Sequence, residues 1–327
     1  MYQSKLNLRE TSRAIKLVKD TFQQNFKTAL GLERVSAPLF VADSSGLNDN
    51  LSGVERVVGF DLLDGGEMVS VVQSLAKWKR MALARYGFLP GEGLYTDMNA
   101  IRRDETMDAL HSVYVDQWDW EKVITQETRN AETLKVIVKK IVKTIAETQT
   151  ALKKIYPQLT LDICDDVFFI TAEELLQKYP TLSPKERENA ITKEKKTVFI
   201  TQIGGLLSNG AKHDDRAPDY DDWSLNGDIL MWYEPLQLAM EMSSMGIRVD
   251  AESLDRQLTL AKADDRRAFP FHQALLNNRL PRTIGGGIGQ SRLCMLILEK
   301  IHIGEVQVSV WNDATLKYCW ENNIELL

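Results

Sequence analysis

The stretch TIGGGIGQSRLCMLIL, Thr283 to Leu298, joins a glycine cluster to a long apolar run. Four glycines occupy five consecutive positions, and Arg292 follows just before the apolar residues. Such a run predicts a buried helix, in whose first turn an unpaired guanidinium would be costly. Glycines allow the backbone to approach a ligand closely, and a helix N-terminus favours anions. The stretch therefore predicts either a tight turn before a structural helix or a phosphate clamp that uses Arg292.

Two common nucleotide-binding patterns do not fit this stretch. A dinucleotide fingerprint needs a βαβ unit of about 30 residues, and too little chain remains behind the glycines. Arg292 also stands where the third glycine of that fingerprint would be. A Walker loop needs Gly-Lys-Ser/Thr, which this stretch lacks.

The composition narrows the class of protein. The chain has 327 residues, of which 44% are hydrophobic and 26% charged, as in soluble globular proteins. We see no repeat, low-complexity tract or linker, so we expect a single domain over residues 1–327. The net charge is −6, and no Lys/Arg-rich run indicates a nucleic-acid surface. No apolar stretch approaches about 18 residues, and the three cysteines lack metal-ligand spacing, so we expect no membrane contact and a cytoplasmic protein.

The hydrophobic pattern predicts an α+β fold, with helices flanking a central, mostly antiparallel β-sheet. One predicted hairpin, residues 96–120, has a second arm whose residues alternate between two faces. One face carries His111, Val113, Val115, Gln117 and Asp119. Trp118 and Trp120 lie on the other face and are expected to pack against the sheet. The other predicted elements are helices over 9–30, 75–86 and 134–145, a helix start at Ser183, and strands over 54–60, 67–74, 197–203, 227–233 and 304–311.

Three further segments combine cationic, acidic and hydroxyl side chains: QSLAKWKR (73–80), AIRRDE (100–105) and MEMSSMGIRVD (240–250). Together with GGGIGQSRL, they resemble the catalytic domains of class II aminoacyl-tRNA synthetases, especially those for aspartate. The arginine-containing hairpin is similar to the second motif of that family, and Gly-x-Gly-x-x-Arg is similar to the third. Pro38 in VSAPLF is similar to the first motif, which is a dimer interface.

Eight strings in the same order extend the resemblance over nearly the whole chain. They are DNLSGVE, SLAKWKR, GEGLYTDMNAIR, HSVYVDQWDWE, RAPDYDDW, LNGDIL, SSMGIRVD and TIGGGIGQSRL. The series is similar to the ammonia-dependent asparagine synthetases, which are aspartate–ammonia ligases built on the class II synthetase catalytic fold. The resemblance implies an ATP-dependent enzyme that makes L-asparagine from L-aspartate and ammonia through β-aspartyl-AMP, releasing pyrophosphate and AMP. It also implies Mg²⁺ and a homodimer.

The resemblance implies a nucleotide site. Carboxylate attack on a polyanion needs positive charge around the phosphorus, and Arg102 and Arg292 are the candidates for the α- and γ-phosphate ends. Asp228 and Glu241 would hold Mg²⁺ through carboxylate oxygens. His111, Gly287 and Gly289 complete the implied nucleotide-binding set. Taken alone, Arg102 also fits a solvated hairpin charge, and Asp228 fits a turn residue.

The same resemblance implies an aspartate site. Arg248 and Lys79 would pair with the carboxylates of the substrate, Arg248 through two parallel hydrogen bonds. Asp119 or Asp221 would receive the α-ammonium, although Asp221 also fits a solvated acidic loop. Gln117 lies on the face of Asp119 and is expected to reach the same pocket, with a catalytic role beside substrate binding. Neutral donors would come from Ser74, Ser243 and Ser244.

Asp49 is the candidate for the ammonia step. Ammonium has no lone pair, so a group must bind the cation and accept a proton before nitrogen can attack. A carboxylate on a loop over the adenylate would suit this task. The alternative is a structural Asx-turn within NDN, residues 48–50.

Two other functions remain open from the sequence. An aspartyl-tRNA synthetase would need an anticodon-binding domain ahead of the first motif, where barely thirty residues stand. A catalytically silent regulatory paralogue would be expected to lose residues such as Arg102, Arg292, Glu241 or Lys79, and all four are present.

The sequence departs from the family pattern at two places. Gln73 stands where some relatives have histidine, and the loop that the family usually has between the positions of Ser224 and Leu225 is short here.

Overall fold

The computed structural model describes residues 2–49, 51 and 55–327. Positions 50 and 52–54 lie outside the described residues, and with them part of the DNLSGVE string and the start of the strand predicted over 54–60. The described helices are α1 (Leu8–Leu30), α2 (Ala76–Tyr86), α3 (Ala131–Ile155), α4 (Ala172–Lys178), α5 (Pro184–Lys195), α6 (Ala251–Leu260), α7 (Pro270–Leu276), α8 (Gln290–Ile297) and α9 (Asp313–Glu321). The described strands are β1 (Leu32–Arg34), β2 (Phe40–Ala42), β3 (Gly59–Asp61), β4 (Met68–Val71), β5 (Gly93–Ile101), β6 (Tyr114–Val123), β7 (Phe168–Thr171), β8 (Thr197–Thr201), β9 (Asp221–Tyr233), β10 (Leu238–Arg248) and β11 (Thr283–Gly289).

A large, mostly antiparallel sheet forms the centre of the molecule. Its eight described strands lie in the order β1-β5-β6-β11-β10-β9-β8-β7. Only the edge pairs β1–β5 and β7–β8 are parallel within it. Strands β2, β4 and β3 form a small separate antiparallel sheet. The predicted α+β class with a mostly antiparallel sheet is confirmed.

One face of the large sheet is covered by α1, α3 and α8. Capped by Asn7, α1 buries a stripe of residues at a spacing of four: Ala14, Val18, Phe22 and Phe26. The Phe22 ring lies 4.7 Å from that of Trp118, and Phe26 meets Trp120 edge-on at 6.2 Å. The predicted packing role of the two tryptophans is confirmed. Because side chains alternate along β6, the residues between them face the opposite side of the sheet.

The glycine cluster is a strand, and its description as a loop or tight turn is wrong. β11 lies between β6 and β10, with Gly286 opposite both Trp120 and Met245. A Cβ on Gly286 would lie 2.5 Å from the Met245 Cβ and 2.7 Å from the Ser244 carbonyl oxygen. The glycines therefore make room inside the sheet. The buried helix predicted behind them is confirmed as α8, which begins directly at the end of the strand.

Most of the other predicted helices and strands are confirmed. The helices over 9–30, 75–86 and 134–145 are confirmed, as are the capping box at Ser183 and the strands within 67–74, 197–203 and 227–233. The strand predicted over 304–311 is wrong, because Ile303–Glu305 form a 3₁₀ turn capped by His302 and no strand follows among the described residues. The hairpin 96–120 is confirmed, although its second arm begins only at Tyr114, so His111 precedes the strand.

Candidate active site

The opposite face of the large sheet forms the floor of a cavity of about 530 Å³. Every predicted site residue except Asp228 lines this cavity. These residues are Asp49, Ser74, Lys79, Arg102, His111, Gln117, Asp119, Asp221, Glu241, Ser243, Ser244, Arg248, Gly287, Gly289 and Arg292. Asp228 is joined to the cavity through Arg216, a lining residue that forms an ion pair with it. The fold thus gathers into one place residues that are up to 243 positions apart, from Asp49 to Arg292.

A buried guanidinium is held between two carboxylates at the end of β10. Arg248 donates to Glu121 from Nε at 3.0 Å and from Nη2 at 2.8 Å, and it also forms an ion pair with Asp221. Burial alone would raise the pKa of Glu121, but the charge and hydrogen bonds of Arg248, together with the Lys79 charge, outweigh it and hold that pKa below its usual range. Burial raises the pKa of Asp221 despite Arg248. Because a guanidinium has five N–H groups, this fork keeps donors for a further carboxylate.

Glu121 is a site residue that the sequence reasoning missed. It follows Gln117 and Asp119 at the same two-residue spacing, so the alternation along β6 was a signal that could have found it. Its carboxylate fixes the orientation of Arg248 from below.

Lys79 and Asp119 form a second buried ion pair on the floor of the cavity. The Lys79 Nζ lies 2.9 Å from Asp119 Oδ2 and donates to the Gly286 carbonyl oxygen at 3.0 Å. Burial lowers the pKa of Lys79, and the Asp119 charge opposes this effect. The other oxygen, Asp119 Oδ1, is buried and has no hydrogen-bond partner among the described residues. This pair therefore presents an acceptor beside a cation, as recognition of an amino acid requires.

Arg102 and Arg292 share the cavity, as the implied nucleotide site requires. Arg102 directly follows β5, and its Nε is buried without a hydrogen-bond partner within the described part of the chain. Arg292 lies in the first turn of α8 with 23% of its side chain exposed, and its Nη1 donates to the Glu241 carbonyl oxygen at 3.1 Å. The buried helix avoids a charge penalty at Arg292 because this side chain opens into the cavity.

Asp228 and Glu241 form a carboxylate pair next to Arg216. Burial raises the pKa of Asp228 to about 7; the ion pair with Arg216 opposes this rise, and the nearby negative charge of Glu241 reinforces it. Asp228 Oδ1 is buried and lacks a partner in the described residues. Arg216 belongs to the RAPDYDDW string, but the sequence reasoning gave it no role. No cluster of three or more His, Cys, Asp or Glu side chains suited to a metal occurs within 2–49, 51 and 55–327.

Asp49 combines both alternatives that the sequence left open. Its Oδ1 accepts a hydrogen bond from the Leu51 backbone N–H at 2.9 Å, which is the Asx-turn geometry. Its Oδ2 is buried with no partner in the part of the chain that the structure describes. Burial raises the pKa of Asp49, and the Lys77 ammonium opposes this rise. One oxygen therefore holds the loop while the other remains available.

The remaining predicted site residues lie on the walls of the cavity. His111 lies at the rim, where its Nδ1 contacts Asp108 Oδ1 at 2.8 Å. The Ser243 hydroxyl is buried and unpaired among the described residues, and the Ser74 hydroxyl accepts from the Ala76 N–H at 3.1 Å. A Cβ on Gly287 would lie 2.5 Å from Gln117 Oε1, so this glycine leaves space for the glutamine. The other three histidines, His213, His272 and His302, are buried away from the lining.

Known proteins of one family are similar to this chain over nearly its whole length. The family model described as aspartate–ammonia ligase matches residues 9–323. An aspartate–ammonia ligase from Ruminiclostridium cellulolyticum is 59% identical over 327 residues, which cover 100% of this chain and 97% of that protein. One from Clostridium tetani is 58% identical, covering 100% and 96%. None of the described helices is long and apolar enough to span a membrane.

Solved structures show the same fold at low identity. The asparaginyl-tRNA synthetase from Pyrococcus horikoshii, complexed with asparaginyl-adenylate, is similar with a TM-score of 0.65 at 17% identity, over 91% of this chain and 68% of that one. The aspartyl-tRNA synthetase from Entamoeba histolytica gives 0.60 at 15% identity, over 93% and 58%. The class II synthetase fold and the resemblance carried by the eight strings are confirmed. With a family model over nearly the whole chain and full-length relatives more than half identical, this chain belongs to the aspartate–ammonia ligase family.

Proposed function

We propose that this chain joins L-aspartate and ammonia to give L-asparagine, with cleavage of ATP to AMP and pyrophosphate through β-aspartyl-AMP. One observation carries the proposal. The guanidiniums of Arg102 and Arg292 share a single cavity with the buried pairs of Arg248 and Lys79. Such a cavity matches two anionic substrates, an amino-acid dicarboxylate and a nucleotide triphosphate.

The floor of the cavity binds aspartate. Arg248 and Lys79 pair with its carboxylates. The ion pairs with Glu121 and Asp221 orient Arg248 before the substrate binds. Asp119 receives the α-ammonium, because its Oδ1 is a buried acceptor with no partner among the described residues, whereas Asp221 is engaged by Arg248. Gln117, held beside Gly287, orients the side-chain carbonyl, while Ser74, Ser243 and Ser244 supply neutral hydrogen bonds. This arrangement leaves the β-carboxylate facing the nucleotide.

The upper part of the cavity binds ATP. An oxygen of the β-carboxylate attacks the α-phosphorus, and the bond to the bridging oxygen breaks, so that pyrophosphate leaves. Arg102 stabilises charge at the α-phosphate and Arg292 at the γ-phosphate, where fixed cations lower the barrier. His111, Gly287 and Gly289 line the nucleotide.

Asp228 and Glu241 suit a divalent cation. Hard cations take carboxylate oxygens, and one buried oxygen of Asp228 has no hydrogen-bond partner in the residues that the structure describes. The two negative charges repel each other, which favours binding of a cation next to them. Bound Mg²⁺ would neutralise phosphate charge there.

Ammonia enters beside Asp49. The free Oδ2 binds ammonium and accepts one of its protons, so that the nitrogen lone pair becomes available. Nitrogen attacks the carbonyl carbon of the mixed anhydride, the bond to the AMP oxygen breaks with its electron pair, and the nitrogen releases a second proton to solvent to give the neutral amide. Asparagine and AMP leave.

A direct assay tests the reaction. The purified chain with aspartate, ATP, Mg²⁺ and ammonium should produce AMP and asparagine in equal amounts, without ADP. Aspartate labelled with ¹⁸O in its side-chain carboxylate should transfer one label to the AMP phosphate, which requires the adenylate. Formation of ADP, or AMP without label, would contradict the proposed route. Release of pyrophosphate only with aspartate separates an enzyme from a silent aspartate sensor.

The proposal includes a homodimer and a reducing, cytoplasmic setting. Pro38 precedes two exposed apolar residues, Leu39 and Phe40, in the segment that resembles a dimer motif. The cysteines Cys164, Cys294 and Cys319 are free thiols. Light scattering during size-exclusion chromatography should give twice the chain mass of 37.2 kDa. A Leu39→Asp variant should shift the peak toward the monomer.

A further inference from the structure

The side chain of Asn48, directly before Asp49, connects the Asp49 loop to the end of β4. Its Oδ1 accepts hydrogen bonds from the Asp49 backbone N–H at 2.9 Å and from the Gln73 backbone N–H at 2.8 Å. Its Nδ2 donates to the Val71 carbonyl oxygen at 3.0 Å. All three partners are backbone groups, so this one amide joins two segments of the chain that lie more than twenty residues apart.

The segment that Asn48 binds leads directly into the proposed aspartate site. Gln73 immediately precedes Ser74, which lines the cavity, and α2 with Lys79 begins two residues later. A single oxygen of Asn48 accepts from both the Asp49 and the Gln73 N–H groups, so these two backbone positions are held close together. Asn48 therefore connects the residue proposed to bind ammonium to the cavity wall proposed to bind aspartate.

Two other contacts shape the Asp49 loop. The Leu51 N–H donates to Asp49 Oδ1 at 2.9 Å, which orients the carboxylate relative to its own loop. At the start of the loop, a Cβ on Gly46 would lie 2.5 Å from the Phe269 ring, so the backbone packs closely against the segment before α7. Neither contact involves β4, whereas the Asn48 amide does. The position of Asp49 relative to the aspartate site therefore depends on Asn48.

We propose that Asn48 is a positioning residue for the ammonia step, which places Asp49 Oδ2 next to the carbonyl carbon of the adenylate. The inference rests on the proposed function, in which Asp49 binds ammonium. Asn48 is not part of the cavity lining and exchanges no proton. One proton passes from ammonium to Asp49 Oδ2, nitrogen attacks as AMP leaves with the bonding electron pair, and a second proton goes to solvent. Displacing a positioned group by about 1 Å can lower a rate by about 10²-fold.

The variant Asn48→Ala tests this role because it removes all three hydrogen bonds and leaves the Asp49 carboxylate in the chain. We expect kcat/KM for ammonia to fall at least about tenfold. Aspartate-dependent pyrophosphate–ATP exchange, which needs no ammonia, should stay within about threefold of the unmodified chain. Hydroxylamine is largely unprotonated near neutral pH and attacks without first losing a proton. Formation of aspartate β-hydroxamate should therefore also stay within about threefold.

Gln149→Ala is the matched control. The Gln149 amide also joins two backbone segments: Nε2 donates to the Leu161 carbonyl oxygen at 2.7 Å, and Oε1 accepts from the Ile163 N–H at 3.0 Å. Gln149 lies on α3, outside the cavity lining, so its loss should lower thermal stability without changing the ratio of amide formation to exchange. The positioning role would be overturned if both variants gave the same kinetic profile. Equal losses of exchange, hydroxamate and amide in Asn48→Ala would overturn it as well.

A double variant separates this inference from the proposed function. If Asn48 acts through Asp49, adding Asn48→Ala to Asp49→Asn should lower amide formation no further. Additive effects of the two substitutions would overturn the inference while leaving the ligase activity in place. If the unmodified chain made no asparagine, or if Asp49→Asn left the ammonia step unchanged, the proposed function would fail and the positioning role with it.

Discussion

Arg102 and Arg103 are neighbouring residues with different surroundings. Arg102 lines the cavity and has a buried, unpaired Nε within the described region, whereas Arg103 is exposed. Arg102→Ala should lower kcat by about 10²-fold or more, as for loss of a preorganised donor to a developing negative charge. Arg103→Ala should leave kcat unchanged. Steady-state kinetics with varied aspartate and ATP provides the test, and a change confined to the aspartate KM would reassign Arg102.

Asp49 has one carboxylate oxygen that is buried and has no partner within the described part of the chain. Asp49→Asn should leave pyrophosphate exchange measurable while lowering asparagine formation by about 10²- to 10⁴-fold, the contribution of a general base. The exposed Asp64, in the turn before β4, is the control, and Asp64→Asn should behave like the unmodified chain. Equal losses in exchange and amide formation would remove Asp49 from the ammonia step.

Individual residues were predictable where a motif or a period carried them. The two-residue alternation placed Gln117 and Asp119 on one face, and the same rule extends to Glu121. Arg216 and Lys77 were not predictable in the same way, because their partners Asp228 and Asp219 are brought to them only by the fold. From the sequence alone, a charged residue is expected to be exposed to solvent unless the burial of its partners is known.

At the scale of elements, β11 shows why glycines can stand in a strand. Gly286 faces Met245 and the Ser244 carbonyl oxygen, so an added methyl would collide with the backbone. Gly287 faces only the far ends of Gln117 and Asp119, which can move. Four glycines in five residues predict a loop by composition, and the strand is selected instead because these neighbours need the space. A pattern read along one segment could not reveal which strands would lie beside it.

Alanine at these two positions should have different effects, mainly on activity at Gly287 and mainly on stability at Gly286. Gly287→Ala should cost little stability but lower kcat/KM for aspartate at least about tenfold, because it displaces Gln117 and Asp119 from the substrate. Gly286→Ala should instead lower the free energy of unfolding by roughly 1–3 kcal/mol through overpacking. Gly205→Ala, where the added methyl meets no atom within 4 Å, is the control. Urea denaturation and initial rates on the same preparations would separate the two effects, and equal stability of the Gly286 and Gly287 variants would contradict this account.

The whole molecule is tied together across long sequence distances. Strand β6 from the first half of the chain lies next to β11 from its last quarter, and α1 packs on both α3 and α8. The Tyr2 hydroxyl donates to Glu305 Oε1 at 2.9 Å, which joins the two ends. The sheet order was not predictable from local patterns, because each such contact depends on residues far apart in sequence. We therefore expect residues 1–327 to unfold in one cooperative transition.

Asp219 forms several of these long-range contacts, and its contribution to the free energy of unfolding should depend on pH. It joins Lys77, 142 residues away, to Arg266 and His272, which lie 47 and 53 residues away. Burial alone would raise the pKa of Asp219, but Lys77, the His272 hydrogen bond and Arg266 outweigh it and hold that pKa well below its usual range. The native state therefore binds fewer protons here than the unfolded chain, so the stabilisation is present above about pH 4, the unfolded pKa, and is lost as the pH falls below it.

Asp219→Asn should accordingly destabilise the chain by about 3–5 kcal/mol at pH 7, because it leaves buried cations without their partner. The difference from the unmodified chain should stay nearly constant from pH 7 to about 4.5 and should shrink below about pH 4, where the unfolded carboxylate of the unmodified chain takes up a proton that the native one still lacks. Urea denaturation followed by circular dichroism and tryptophan fluorescence measures the difference and tests whether both probes report one transition. The exposed Asp165 is the control, since Asp165→Asn should change stability by no more than about 0.5 kcal/mol. A destabilisation by Asp219→Asn that did not shrink as the pH fell below about 4 would mean that packing, rather than the carboxylate charge, accounts for the contribution of Asp219.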